Sequence, residues 1–249
     1  MFEQAMIQGQ VPFDLIFYEQ MDDISRYRVL VLAGQDCLSD EHIARIEKYV
    51  TGGGALVFTG ASGSRDQWVN PRSEPGLGSV LKPEVRWNPR RGMYADKTVV
   101  SRGGKVVYVP EITPPDRELA ARWNGSWDGD QGRGPWILPA NWKDLEQAVR
   151  TACGGRLSVE VEAPDWVVVE QTQKDKLIMV HLVNYRENDT RESIPVDVRL
   201  DQGRKVKSVK VVSPDRDGEQ QLEFGIADGR VMFVVPELKV YDMIVIEQS

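Results

Sequence analysis

The chain has 249 residues, a formal net charge of -7, and ordinary shares of apolar (41%) and charged (28%) residues. This composition excludes a disordered or fibrous protein, and the length suits two folded domains. The acidic balance predicts no nucleic-acid partner, because phosphate binding requires a surplus of Lys and Arg on one face. No apolar run approaches the ~18 residues that span a bilayer, so we expect no membrane partner. No export signal is visible, and the sequence leaves the compartment open.

The first half of the chain alternates strand and helix signals. Residues 27–34 form an apolar run without alternating polarity, which is typical of a strand buried on both faces. Ser39 predicts a helix N-cap, and apolar residues then repeat at helical spacing until Gly52-Gly53-Gly54. Residues 55–59 predict the next strand. This β-α-β order predicts two parallel strands joined by a right-handed crossover.

The rest of this half contains fewer regular signals. A long irregular stretch runs from residue 60 to about residue 94, and residues 105–109 predict one more strand. Residues 114–123 and 142–152 predict helices. The segment as a whole therefore predicts an α/β domain.

Gly154-Gly155 marks the predicted boundary between an α/β domain, residues 1–154, and a second domain, residues 155–249. Beyond it the pattern changes to about eight short strands separated by Asp-Gly turn signals. These predicted strands cover residues 157–161, 165–171, 176–184, 194–200, 205–212, 220–225, 230–235 and 240–247. Short strands at regular spacing without helices predict an antiparallel β-sandwich.

Two groups of motifs resemble parts of a known enzyme family. Residues 27–68, with Leu38-Ser39-Asp40-Glu41 opening the helix and Gly52-Gly53-Gly54 closing it, resemble the β-galactosidase trimerisation domain of glycoside hydrolase family 42. The downstream half resembles the C-terminal β-sandwich of such enzymes, notably at residues 181–185, 209–214 and 235–238. The resemblance implies that domain 1–154 has the flavodoxin-like fold of class I glutamine amidotransferases, without their catalytic residues.

The resemblance also implies what this chain lacks and what it associates with. In the family, a strand and the start of a helix precede the segment equivalent to Ala5–Phe17, and a catalytic (β/α)₈ barrel precedes those. We therefore expect a domain without its first strand, belonging to a longer protein whose acid and nucleophile lie on the barrel. The expected partners are that barrel and further copies of the chain, with a trimer implied by the family. We expect no cofactor and no metal.

Residue chemistry gives a separate test for catalysis within the chain. Gly60-Ala61-Ser62-Gly63-Ser64 nearly fits a nucleophile elbow, but the last position is not glycine. A nucleophile also needs a base, and the chain has two histidines, His42 in the preceding helix and His181 in the other domain. The pattern therefore favours a polar turn at Ser62.

Two further candidates have structural interpretations. Cys37 lies between a strand and a helix, and we expect a small buried residue that closes the loop, without a disulfide to Cys153. Glu111 follows the strand at residues 105–109, where α/β proteins place ligands, but the sequence positions no second carboxylate against it.

The segment between the last two predicted helices is rich in tryptophan. Its aromatic and acidic side chains could bind a carbohydrate by stacking and hydrogen bonding. The candidate sugar-binding residues are Trp123, Trp127, Asp128, Asp130 and Trp136. The alternative is that the tryptophans are buried anchors of a long loop or a subunit interface. Asp128 and Asp130 do not meet the ligand spacing of a calcium loop.

Together these observations favour a non-catalytic accessory and oligomerisation region of a β-galactosidase-like glycoside hydrolase. A carbohydrate-binding module that uses the tryptophan-rich loop is the first alternative. An independent enzyme of the amidotransferase or hydrolase type is the second.

Overall fold

A computed structural model describes residues 1–81, 86–115, 138–186 and 188–249. These residues form two compact units, which we describe separately. The first unit comprises residues 1–5 and 15–155, and the second comprises residues 6–14 and 156–249. None of the helices in the described ranges is long and apolar enough to cross a membrane.

The first unit is built on a four-stranded sheet. In the described ranges the α-helices are α1 (Phe2–Gln8), α2 (Asp40–Thr51) and α3 (Trp142–Ala152), and 3-10 helices cover Tyr18–Arg26, Gly78–Val80 and Arg102–Gly104. The strands are β1 (Val29–Leu32), β2 (Ala55–Thr59), β3 (Val99–Ser101) and β4 (Val106–Val109). In the sheet order β1-β2-β4-β3, the first three strands are parallel, and β3 pairs antiparallel with β4.

Local signals define the crossover helix α2. The Ser39 hydroxyl accepts a hydrogen bond from the His42 N–H at 3.1 Å, which satisfies one of the free donors in the first turn. At the other end Tyr49 donates to the Tyr27 carbonyl at 3.0 Å. A Cβ at Gly54 would collide with the Tyr49 ring, so glycine is required where the chain turns into β2.

Helices cover both faces of this sheet. Alternate strand residues pack with α2 in one buried cluster that includes Leu32, Leu56, Phe58 and Tyr108. The intervening side chains, such as that of Val57, point to the other face and are also buried, and α3 contacts β2 and β4. The α/β class predicted from the apolar strand runs is therefore confirmed. Strand β3, which the sequence analysis did not predict, is a short antiparallel edge.

The second unit is a sandwich of two antiparallel sheets, as predicted. Its strands are β5 (Val159–Val161), β6 (Val167–Lys174), β7 (Leu177–Asn184), β8 (Arg191–Arg199), β9 (Val206–Val212), β10 (Glu219–Gln221), β11 (Phe224–Ala227), β12 (Arg230–Leu238) and β13 (Tyr241–Gln248). One sheet has the order β10-β9-β13-β7-β6, and the other has the order β11-β12-β8-β5. Inward-facing aliphatic side chains from both sheets form one core.

The prediction of a single strand at residues 220–225 was wrong. The chain makes two short strands there, and they belong to different sheets: β10 pairs with β9, and β11 pairs with β12. Leu222 lies between them with its side chain in the core, and its N–H donates to the Val209 carbonyl at 2.8 Å. The chain crosses from one sheet to the other at this residue.

A short N-terminal segment also belongs to the second unit. Gln10 donates through its side-chain amide to the carbonyls of Ala163, Pro164 and Val167, at 3.2, 2.9 and 3.0 Å. These bonds satisfy backbone acceptors in the segment between β5 and β6, which is why residues 6–14 group with the sandwich.

Candidate functional site

The loops that follow β1 and β2 meet at the carboxyl edge of the parallel sheet, where α/β proteins place functional groups. Backbone hydrogen bonds join them: the Leu38 N–H donates to Arg65 at 3.0 Å, and the Gly63 N–H donates to Gln35 at 2.9 Å. Arg72 adds an ion pair to Asp40 at 2.6 Å. The two loops therefore form one connected surface beside the first turn of α2.

Ser62 is a structural group within this surface. Its side chain is fully buried, and its hydroxyl donates to the Thr59 carbonyl at 2.7 Å. The same oxygen accepts from the Gln35 N–H at 3.1 Å. A hydroxyl with these partners links the loop after β2 to the loop after β1, which is the geometry of a polar turn.

The described structure places both histidines away from the candidate nucleophiles. His42 Nδ1 accepts from the Ser39 N–H at 3.4 Å, and its ring lies 6.0 Å from that of Tyr18. His181, in the second unit, contacts the Thr172 hydroxyl at 3.0 Å and the Tyr241 hydroxyl at 2.7 Å. Each ring is engaged locally, and in the described part of the chain neither histidine is hydrogen-bonded to Ser62 or Cys37.

The expectation of a buried Cys37 was wrong. Its side chain is exposed, because the next residue, Leu38, takes the inward position in the core. No disulfide joins Cys37 to Cys153. Glu111 is also exposed, and its carbonyl accepts from the Asn141 side chain at 3.0 Å. Within the described ranges, no group of three or more His, Cys, Asp or Glu residues has the arrangement of a metal site.

We expect Ser62→Ala to lower the free energy of unfolding by about 1 to 3 kcal/mol, because it removes the acceptor of the Gln35 N–H and the donor to Thr59. The exposed Ser73 gives a matched control, and Ser73→Ala should change stability by less than about 0.5 kcal/mol. Urea unfolding of both variants measures the difference. Equal midpoints would contradict the structural role of Ser62.

The loop after β2 contains a tightly bonded turn around Asp66. One carboxylate oxygen of Asp66 accepts from the backbone N–H groups of Trp68 and Asn70, both at 2.9 Å. The other accepts from the Asn70 side chain at 3.0 Å. The Asn70 amide, followed by these backbone donors, holds the pKa of Asp66 below its usual range. Arg65 closes the turn by donating to the Val69 carbonyl at 2.9 Å.

This turn presents two apolar side chains to solvent. Trp68 is 76% exposed, and Val69 is also exposed. Val69 has a φ of 70°, which is uncommon for a β-branched residue and is maintained by the hydrogen bonds on either side. A large aromatic side chain held outward on an ordered turn is typical of an interaction site.

A second apolar stretch lies near the same end of α2. Leu15, Phe17 and Tyr18 are all exposed, with Phe17 at 72%. Tyr18 approaches His42 in the first turn of α2, and the following 3-10 helix is tied to α2 by an ion pair between Asp22 and Arg45 at 2.7 Å. We call the five residues Leu15, Phe17, Tyr18, Trp68 and Val69 the apolar edge surface.

The predicted sugar-binding residues cannot be placed in this geometry. Trp123, Trp127, Asp128, Asp130 and Trp136 all lie outside the described residues. Sugar binding by that segment therefore stays a prediction. The apolar edge surface was not among the site residues predicted from the sequence.

Comparison with known proteins identifies the class to which the first unit is related. Residues 2–83 match the family model of the β-galactosidase trimerisation domain, so the resemblance seen in the sequence is confirmed for this segment. All five residues of the apolar edge surface fall inside the match. No curated protein matches the chain.

Solved structures extend the likeness in fold to almost the whole chain. α-L-Fucosidase isoenzyme 2 from Paenibacillus thiaminolyticus is 17% identical with a TM-score of 0.65, over 99% of this chain and 44% of that one. The β-galactosidase from Bacillus circulans sp. alkalophilus is 15% identical with a TM-score of 0.55, over 98% and 36%. A catalytic mutant of Gan42B, a GH42 β-galactosidase from G. stearothermophilus, is 18% identical with a TM-score of 0.52, over 100% and 35%.

At identities of 15 to 18%, the likeness to the three enzymes shows a shared fold. The chain spans less than half the length of each of them. The matched part is thus an α/β unit of the trimerisation-domain type followed by a β-sandwich.

Proposed function

We propose that this chain is a non-catalytic assembly region of a β-galactosidase-like glycoside hydrolase, and that its α/β unit joins copies of the protein into a trimer. The observation that carries the proposal is the apolar edge surface within residues 2–83, the segment that matches a trimerisation domain. The sandwich would serve as a C-terminal support, and the catalytic groups would lie on a (β/α)₈ barrel.

The chemistry of the surface favours a protein partner. Trp, Tyr and Phe side chains give the largest contributions at protein interfaces because they remove large apolar areas from water. Trp68 also loses little conformational entropy on binding, since the Asp66 turn already fixes its backbone. Contacts around a threefold axis join two different patches, one from each copy. The turn at Trp68 and the stretch at residues 15–18 would supply two such patches.

The finer fold assignment belongs to the same proposal. Three adjacent parallel strands with helices on both faces support a flavodoxin-like arrangement for residues 1–154 that lacks its first strand. β1 lies at one end of this sheet in the described residues, and backbone groups at a sheet edge favour association. Residues 155–249 would form the supporting domain.

Sedimentation velocity of two matched variants tests whether the apolar edge surface forms the contact between copies of the chain. Trp68→Ala should weaken self-association about 30-fold, the effect of losing one interface anchor worth about 2 kcal/mol. Tyr185→Ala removes a similarly exposed aromatic residue, at 73%, from the second unit and should leave association unchanged. If both variants associate like the unmodified chain, the apolar edge surface is not the interface.

A further inference from the structure

The first unit has a groove whose lining residues are not part of the apolar edge surface. It lies beside the turn that is closed by hydrogen bonds between Asn88 and Met93, and it has a volume of about 840 Å³. Its walls combine aromatic, aliphatic and charged side chains. They are Arg86, Trp87, Asn88, Pro89, Met93, Tyr94, Ala95, Asp96, Lys97 and Val99.

The aromatic wall of the groove is anchored in the core of the unit. The half-buried Trp87 packs edge-on against Tyr94, with ring centroids 4.9 Å apart. Tyr94 is itself buried and contacts Phe58 of β2 and Tyr108 of β4, at 5.2 and 5.4 Å between centroids. The position of the Trp87 ring is therefore set by the sheet.

Trp87 also carries an unused donor. Its indole N–H is buried and has no acceptor among the residues that the structure describes. A buried donor without a partner is unfavourable, and an acceptor on a ligand would satisfy it. Indole offers a donor and no acceptor, so the complementary atom on the ligand is an acceptor, such as a sugar oxygen.

The charge around the groove is opposite to that of the whole chain. Residues 86–97 contain four cations and one acid, a balance of 4 - 1 = +3, in a chain whose net charge is -7. The acid, Asp96, pairs with Arg91 at 3.1 Å. The Asn88 side-chain oxygen accepts from the N–H groups of Arg90 and Arg91, at 3.1 and 3.3 Å. Asn88 and Asp96 also line the groove but already accept from partners within the turn. Arg86 and Lys97 are therefore the lining cations that face a ligand.

We propose that this groove binds an acidic saccharide, a sugar that carries carboxylate or sulfate groups. The CH face of a pyranose would pack against Trp87, a ring or hydroxyl oxygen would accept from the indole N–H, and the anionic group would pair with Arg86 and Lys97. A neutral sugar would gain nothing from the two exposed cations. A simple anion would not use the aromatic wall. The proposal goes beyond assembly and does not depend on it.

Isothermal titration of the full chain with a galacturonic acid trisaccharide tests the proposal. We expect saturable binding that Trp87→Phe weakens about tenfold, because this change keeps the ring against Tyr94 and removes the N–H. Lys97→Ala should weaken binding by a similar factor and make its dependence on salt shallower, because one ionic contact is lost. Tyr185→Ala removes an exposed aromatic side chain of the second unit and should bind the trisaccharide like the unmodified chain. Circular dichroism establishes that each variant is folded.

Three competitors define the chemistry of the ligand. Neutral galacto-oligosaccharide, sodium sulfate and a short glutamate peptide should each bind at least about tenfold more weakly than the acidic trisaccharide. Equal affinity for the neutral sugar would overturn the role of charge. Equal affinity for sulfate or the peptide would overturn the saccharide. An absence of binding to the acidic trisaccharide would overturn the site, whatever the oligomeric state of the chain.

Discussion

Arg216→Met should destabilise the second unit by about 3 to 5 kcal/mol, because it leaves the charge of Asp242 buried without its partner. Asp242 is fully buried, and one Arg216 nitrogen contacts both its carboxylate oxygens, at 2.9 and 2.8 Å. The same nitrogen donates to the Glu237 carbonyl at 2.7 Å. The substitution therefore removes the ion pair and a backbone contact together.

The loss of stability caused by Arg216→Met should depend on pH in a defined direction. Burial raises the pKa of Asp242, while Ser213 and Arg216 act in the opposite direction. A raised pKa in the folded state means that stability is greatest below the ordinary aspartate pKa and falls as pH rises through the folded value. Removing Arg216 raises that pKa further. The difference between the variant and the unmodified chain should therefore be smaller near about pH 5 than near about pH 8.

Lys207→Met provides the control for this prediction. Lys207 pairs with Glu247 at 3.3 Å in the same sandwich, but both side chains are about half exposed. An exposed pair of this kind contributes less than about 1 kcal/mol. Urea unfolding of both variants at the two pH values gives the comparison. Similar losses for Arg216→Met and Lys207→Met would contradict the buried ion pair.

Gly76→Ala should destabilise the first unit by about 1 to 3 kcal/mol, because the position has no room for a side chain. A Cβ there would lie 2.5 Å from Ile43 Cδ1 of α2 and 2.8 Å from the Gly63 carbonyl oxygen. Gly76 also donates to that carbonyl at 3.2 Å. Since backbone is one of the two obstacles, a side-chain rotation cannot relieve the clash.

Gly225→Ala is the matched control for Gly76→Ala. A Cβ at Gly225 would meet nothing within 4 Å, and its φ does not require glycine. The change should be neutral or stabilise the protein by up to about 1 kcal/mol, since alanine restricts the unfolded chain. Thermal or urea unfolding compares the two variants. A loss at Gly225 as large as that at Gly76 would show that crowding is not the cause.

The sequence predicted the elements whose signals are local. Ser39 caps α2, three glycines end it, and the apolar runs at β1 and β2 become strands at nearly the predicted residues. The bounds predicted for α3 match the structure, since its apolar residues repeat on one face. These features depend on neighbours within one or two turns of chain.

The sequence could not predict features that depend on distant residues. The split between β10 and β11 at Leu222 reflects which of two sheets each strand joins. The grouping of residues 6–14 with the sandwich depends on hydrogen bonds from Gln10 to carbonyls more than 150 positions away. The exposure of Cys37 follows from the inward position of Leu38. Local propensity carries none of this information.

The apolar edge surface could be predicted from the sequence only in part. Asp66 followed by Asn70 has the side-chain chemistry of a hydrogen-bonded turn, which a sequence pattern can indicate. The outward position of Trp68 could not be predicted, because an aromatic residue after a buried strand can lie in the core or at the surface. Its exposure follows from the three hydrogen bonds to Asp66.

The solution mass of the unmodified chain, measured by sedimentation equilibrium over a range of concentrations, tests the assembly role most directly. We predict a mass that rises to three times the 28.1 kDa of one chain. A mass that stays at 28.1 kDa at every concentration would contradict it.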